Sequence, residues 1–230
     1  MKLAPLALLI ALAACHKEAP DAAVATSTPT TAASTPTAAA AAAPPIAADA
    51  KAAVGQPAPD FTLADLNGKP VSLHDYKGKV VVLEWFNPEC PFVNNAHDKG
   101  SLKGTAARHE AQGVAWLAVN SSGAGKQGSS VEKNVERKAK WGLDHPILLD
   151  PSGAVGHAYG ATNTPNMFVI DDHGVLAYRG AIDNSPDGEG ESPTGGKLVN
   201  YVDEALSAVA AKRDVAVKET KAYGCGVKYQ

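Results

Sequence analysis

Two apolar runs, Val80 to Trp85 (VVVLEW) and Val114 to Val119 (VAWLAV), constrain this chain more than any other feature of it. A strand with one wet face alternates apolar and polar residues, whereas a near-continuous run needs cover on both faces. Between the two runs, Pro91 stands where a helix can open without losing a needed N–H. That helix is expected to reach about Ala111. Strand, helix, strand in this order predicts a parallel pair joined by a crossover.

The remaining segments extend the pattern. Phe61-Thr-Leu and Val71-Ser-Leu73 read as short strands around Asn67-Gly68, a dipeptide suited to a tight hairpin turn. The Gly- and Ser-rich stretch from Ser121 to Ser130 reads as a loop, followed by a Lys- and Glu-rich helix ending near Trp141. Ile147 to Leu149 is a third short strand. Met167 to Ile170 and Val175 to Tyr178 flank Asp171-Asp-His-Gly174 as a second hairpin. Leu198, Val202, Ala205, Leu206 and Val209 recur at helical spacing and predict a last helix up to Lys212. The expectation is an α/β fold: a mostly parallel central sheet, an antiparallel edge hairpin and helices on both faces.

The first residues read as an address. Lys2 precedes an apolar segment, Leu3 to Leu12, that is too short to span a bilayer. It ends in Leu12-Ala13-Ala14-Cys15, which resembles the bacterial lipobox. The resemblance implies cleavage after residue 14, lipidation of Cys15 and a bacterial lipoprotein on the periplasmic side of a membrane. His16 in place of Asp favours, by analogy, the outer membrane. The alternative is an ordinary signal peptide with an incidental cysteine. Residues 15–53 are mostly Ala, Thr, Pro and Ser, too poor in large side chains to offset their ordering entropy, and are expected to form a disordered tether. Residues 54–212 are then the folded domain and 213–230 a C-terminal tail.

With 24 acidic and 21 basic residues and no basic cluster, the chain carries no electrostatic footprint for nucleic acid. Its three cysteines, Cys15, Cys90 and Cys225, are too few for a disulfide framework and too dispersed for a zinc site. Cys90 lies in EWFNPECPFV, just past a buried strand and at a helix start, where unpaired N–H groups and the helix dipole stabilise a thiolate. A buried structural cysteine is the alternative.

The run PAPDFTLADLNGKPVSLHDYKGKVVVLEWF, the Cys90 turn and Thr164-Pro165 before Met167-Phe-Val-Ile together resemble the thioredoxin-like redoxin superfamily. Within it, the Cys90 turn and the late Gly-Cys-Gly-Val-Lys-Tyr resemble a peroxiredoxin-like subgroup. The resemblance implies a thioredoxin-like fold, with Thr164 and Pro165 forming a cis-proline loop that faces the reactive cysteine. It also implies a thiol oxidoreductase that needs no cofactor. Its partners would be protein thiols or disulfides, or small peroxides, with an external thiol as electron donor. The departures are specific. The second thiol of Cys-X-X-Cys is Val93, and the peroxiredoxin hydroxyl position is Asn87. Cys225, flanked by two glycines, is the remaining candidate for a resolving thiol. A static disulfide and an unrelated tail thiol are the other readings.

Around Cys90, Asn87, Pro88 and Glu89 are expected to shape the turn, and Trp85 and Phe92 to pack it. Glu84 is either a buried acid at the base of the site or an outward carboxylate. His97, two helical turns past Cys90, either shares its face or is a solvent-facing or core-rim histidine. No other histidine shows ligand spacing, so no metal site is expected. Two further readings stay open: a copper chaperone, for which the second ligand position is Asn94, and a redox-inactive binding module. The acidic loop Asp183 to Gly196 lacks the ligand pattern of a calcium site.

Overall fold

The computed structural model describes Ile46 and residues 49–230. The leader, Cys15 and most of the tether lie outside the described residues. Seven strands form one sheet in the order β2-β1-β5-β4-β3-β7-β8. They are β1 (Thr62–Asp65), β2 (Pro70–Ser72), β3 (Val81–Trp85), β4 (Ala115–Asn120), β5 (Ile147–Leu149), β7 (Asn166–Ile170) and β8 (Leu176–Gly180). The two apolar runs pair as expected, β3 lying parallel to β4 from Val81↔Ala115 to Trp85↔Val119. β5 is parallel to β4 on its other side. The parallel part is this three-stranded middle, and antiparallel hairpins finish both edges. The fold is thioredoxin-like, a mixed sheet with helices packed on it.

The two faces of β3 explain its unbroken apolar text. Val81, Leu83 and Trp85 join one core with Leu117, Val119 and Phe168, covered by Val155 and Tyr159 of α4 (Ala154–Tyr159). Val82 joins the other core with Trp116, Val169 and Tyr178, covered by α5 (Tyr201–Ala210) through Val202, Ala205 and Leu206. Ala96 of α1 (Pro91–Asp98) and Ala106 of α2 (Thr105–Glu110) pack on this second face. α3 (Val131–Trp141) is capped by Ser130, whose hydroxyl accepts from the Lys133 N–H.

Several boundaries differ from the sequence reading. The helix expected from Pro91 to about Ala111 is two helices, interrupted between Asp98 and Thr105, with Gly104 at φ 66° as the entry to the second. The last helix is shorter than Leu198 to Lys212, because the Asn200 side chain caps it by accepting from the Asp203 N–H. The tether reading also stops short of residue 53. Ala52 is buried, its N–H bonded to the Ala158 carbonyl, and Ile46 packs against the first core. A second, two-stranded sheet was not foreseen. It pairs β6 (Asn163–Thr164) antiparallel with β9 (Cys225–Gly226), bringing the tail back onto the domain.

Candidate active site

β3, paired on both sides, delivers the chain to the C-terminal end of the parallel strands, and a turn of four residues after Phe86 places Cys90 as the N-cap of α1. The turn is fixed by the groups expected to shape it. The Asn87 side chain is buried, accepts from the Glu89 N–H at 2.8 Å and donates to the Gln127 carbonyl at 3.1 Å. The Glu89 carboxylate accepts from the Gly128 N–H at 2.7 Å. Pro88 contributes its carbonyl, which accepts from the Arg137 Nε of α3 at 3.1 Å. The loop carrying Gln127 and Gly128 is held by two buried amides: Asn120 donates to the Gly128 carbonyl, and Asn134 to the Gly128 and Ser130 carbonyls. Arg137, Asn120 and Asn134 carried no distinguishing signal in the sequence.

The Cys90 side chain has no exposed surface and packs with Phe86, Val93, Ala118 and Ile147. Its Sγ donates to the Thr164 carbonyl at 3.0 Å. The Thr164–Pro165 bond is cis, and the expected cis-proline loop faces the cysteine. Directly opposite Thr164 in the small sheet stands Cys225. Both thiols are free, and Cys225 packs against the buried cluster that holds Cys90. The Cys225 thiol is pushed up to about 11, first by burial and then by the hydrogen bond and charge of Cys90.

Glu84 is the buried acid, not the outward carboxylate. It has no exposed surface and sits behind the cysteine turn on the α1 face of β3. Its Oε1 meets His97 Nε2 at 2.8 Å, and its Oε2 accepts from the Trp116 indole at 3.1 Å. Burial alone would raise this carboxyl. The charge and hydrogen bond of His97, the charge of His145 and the Trp116 bond outweigh it and hold the group below the usual carboxylate range. His97 is buried and paired with Glu84, with its ring stacked on Trp141 at 4.5 Å. Among the described residues, no three His, Cys, Asp or Glu side chains converge on a point that could hold a metal ion.

Residues 53–197 match the Redoxin family profile. The chain belongs to the Redoxin family. It is 39% identical over 131 residues to the thiol-disulfide oxidoreductase ResA of Geobacillus thermodenitrificans, covering 54% of this chain and 67% of that protein. It is also 34% identical over 124 residues to the thioredoxin-like protein YneN of Bacillus subtilis, covering 53% of this chain and 68% of that one. Among solved structures, a hypothetical protein from Sinorhizobium meliloti superposes with a TM-score of 0.68 at 29% identity, over 77% of this chain and 95% of that one. An uncharacterized conserved protein from Geobacillus kaustophilus gives 0.66 at 29% identity, over 77% and 93%. Cys90, Glu84, Thr164 and Pro165 fall inside the matched family segment, and Cys225 falls outside it.

Proposed function

We propose that this Redoxin-family chain is a thiol–disulfide oxidoreductase with Cys90 as nucleophile and Cys225 as resolving thiol. The observation that carries the reading is the Thr164↔Cys225 register, which sets the tail thiol beside the thiol whose Sγ rests on the Thr164 carbonyl. The ResA relatives are named thiol-disulfide oxidoreductases, which supports disulfides as the substrate class.

In the first step the Cys90 thiolate attacks one sulfur of a substrate disulfide. A mixed disulfide forms and one substrate thiolate leaves. Cys225 then attacks the Cys90 sulfur, and the second substrate thiol leaves carrying the proton that Cys225 gives up. The substrate gains two electrons and the protein holds a Cys90–Cys225 disulfide, which an external dithiol donor must reduce. The raised Cys225 thiol suits this order. Two of the influences that raise it come from Cys90, and both vanish once Cys90 is in a mixed disulfide.

A second reading has one observation in its favour. Cys90 is fully enclosed, which favours a small oxidant such as a peroxide. Attack would then give a Cys90 sulfenic acid and an alkoxide, and Cys225 would condense with the sulfenic acid, releasing water. The lipobox-like Leu12-Ala13-Ala14-Cys15 supports a periplasmic, membrane-tethered setting, tested by palmitate labelling of the chain and of Cys15→Ser.

The experiment is trapping in the Cys225→Ser chain. A mixed disulfide on Cys90 with a peptide disulfide supports the first reading, and a sulfenic acid after peroxide supports the second. Neither adduct forming refutes both. In the unaltered chain, a Cys90–Cys225 bond that withstands a reducing glutathione buffer would mark it as a static staple.

A further inference from the structure

The two-residue β9 strand is too short to hold a tail in place unaided. Two tyrosines bracket it. On the N-terminal side, the Tyr223 hydroxyl donates to Asp183 Oδ1 at 2.7 Å, and its ring lies 6.4 Å from that of Phe92 in the first turn of α1. Asp183 is itself buried and fixed by the Ser185 N–H and the Ser101 hydroxyl. On the C-terminal side, the Tyr229 hydroxyl donates to the Ala161 carbonyl at 2.7 Å, and its ring stacks on His157 at 4.1 Å.

The seat of Tyr229 is built for a ring. A Cβ at Gly153 would lie 2.6 Å from the ring, and one at Gly156 would lie 2.7 Å from Cε1 and run into the hydroxyl. Both positions are therefore open only because they are glycine. The seat is anchored by Asp150, which is buried and accepts from the Gly156 N–H at 2.9 Å and the Ser121 hydroxyl at 2.7 Å. Between the tyrosines the tail carries Cys225 past Thr164, and the Gly123 N–H donates to the Lys228 carbonyl at 2.8 Å.

We infer that Tyr223 and Tyr229 are positioning residues that deliver Cys225 to Cys90. This rests on the reading of Cys225 as the resolving thiol. Resolution forms the Cys90–Cys225 bond, breaks the bond from Cys90 to the substrate sulfur, and sends the proton of Cys225 out with the departing thiol. Its rate scales with the effective concentration of Cys225 at Cys90, which a clamp at each end of a short segment raises. The first step, attack by Cys90 on substrate, does not use the tail.

The test uses the full chain with Tyr229→Ala, Tyr229→Phe and the Tyr223→Phe/Tyr229→Ala double variant. Each is equilibrated in glutathione redox buffers to read the effective concentration of the Cys90–Cys225 pair. In parallel, the rate at which Cys90 attacks a peptide disulfide is read in the Cys225→Ser background. We expect a drop of tenfold or more in effective concentration for Tyr229→Ala, a larger one for the double variant, and substantial recovery in Tyr229→Phe, which keeps the stack. The first-step rate should stay within a factor of two of the tyrosine-bearing parent, or rise as the cover loosens. An unchanged effective concentration in the double variant overturns the inference. So does a fall matched by an equal fall in the first-step rate, the mark of general damage. If the unaltered chain forms no Cys90–Cys225 disulfide in any buffer, the resolving-thiol reading itself fails and takes the clamp with it. If it forms the bond and the variants form it equally, only the clamp fails.

Discussion

Glycine at position 224 is the most exacting residue of the tail, and substituting it isolates the contact that brings the cysteines together. Gly224 adopts φ 111°, in the region L-residues avoid. An added Cβ would run into the Thr164 carbonyl oxygen, 3.1 Å from the carbonyl carbon and 3.3 Å from Pro165 Cδ. These are backbone and ring atoms of the cis-proline loop, which cannot swing aside as a flexible side chain does. Gly224→Ala therefore carries about 1–3 kcal/mol of backbone strain. The tail limits the penalty by peeling off locally. That forfeits the bond from Asn163 Nδ2 to the Gly224 carbonyl and the one from the Val227 N–H to the Thr162 carbonyl, about 1 kcal/mol net apiece.

The net loss of docking is then about 2–3 kcal/mol, and at 1.4 kcal/mol per factor of ten the effective concentration of Cys225 falls roughly 30- to 140-fold. Gly226→Ala is the matched control, because nothing lies within 4 Å of a Cβ there and its φ is not in the forbidden region. The assay is the disulfide fraction across glutathione buffers, quenched by acid and quantified by alkylation and mass spectrometry. If Gly224→Ala and Gly226→Ala agree within about threefold, the reasoning from the Thr164–Cys225 pairing is wrong.

Three further outcomes follow from the same structure. In the reduced chain, alkylation of Cys225 should have its pH midpoint near 11, and Cys90→Ser should lower it, since Cys90 supplies two of the influences that raise it; an unmoved midpoint refutes the thiol–thiol contact. Glu84→Ala leaves His97 and the Trp116 indole without their buried partner and should cost about 3–5 kcal/mol in urea unfolding. Because the folded carboxyl titrates below its unfolded value near 4.3, its contribution is complete above that pH and is lost as pH falls through the folded value, so this part of the acid limb should vanish in Glu84→Ala. Burial raises the Tyr159 and Tyr178 phenols, so the stability they hold is complete below the unfolded value near 10 and drains away as pH rises above it, at about 1.4 kcal/mol per pH unit for each; thermal unfolding at stepped alkaline pH should show a shallower slope in Tyr159→Phe.

The division between what the residues declare and what their packing decides is clear at particular places. The apolar runs at β3 and β4 announce buried strands, because a strand covered on both faces tolerates almost no polar side chain. Cys90 at a strand-to-helix turn, and Thr164-Pro165 before an apolar strand, are likewise readable, since local backbone geometry demands those residue types. Short elements are not readable in the same way. α4 has six residues and β6 and β9 have two each, fewer than a periodic pattern needs to rise above chance.

Glu84 shows the limit most sharply. One polar residue inside an apolar run faces either solvent or a buried partner, and nothing nearby in the chain says which. His97, thirteen residues on, and Trp116 on the neighbouring strand settle it. The same holds for the second thiol. The sequence by itself determined that Cys90 stands at a strand-to-helix turn and that Val93 offers it no partner. Only the tertiary structure decided that Cys225 stands beside it. A contact between residues so far apart depends on loop closure, on the Tyr223 and Tyr229 anchors and on the free edge at Thr164, none of which any local stretch of sequence encodes.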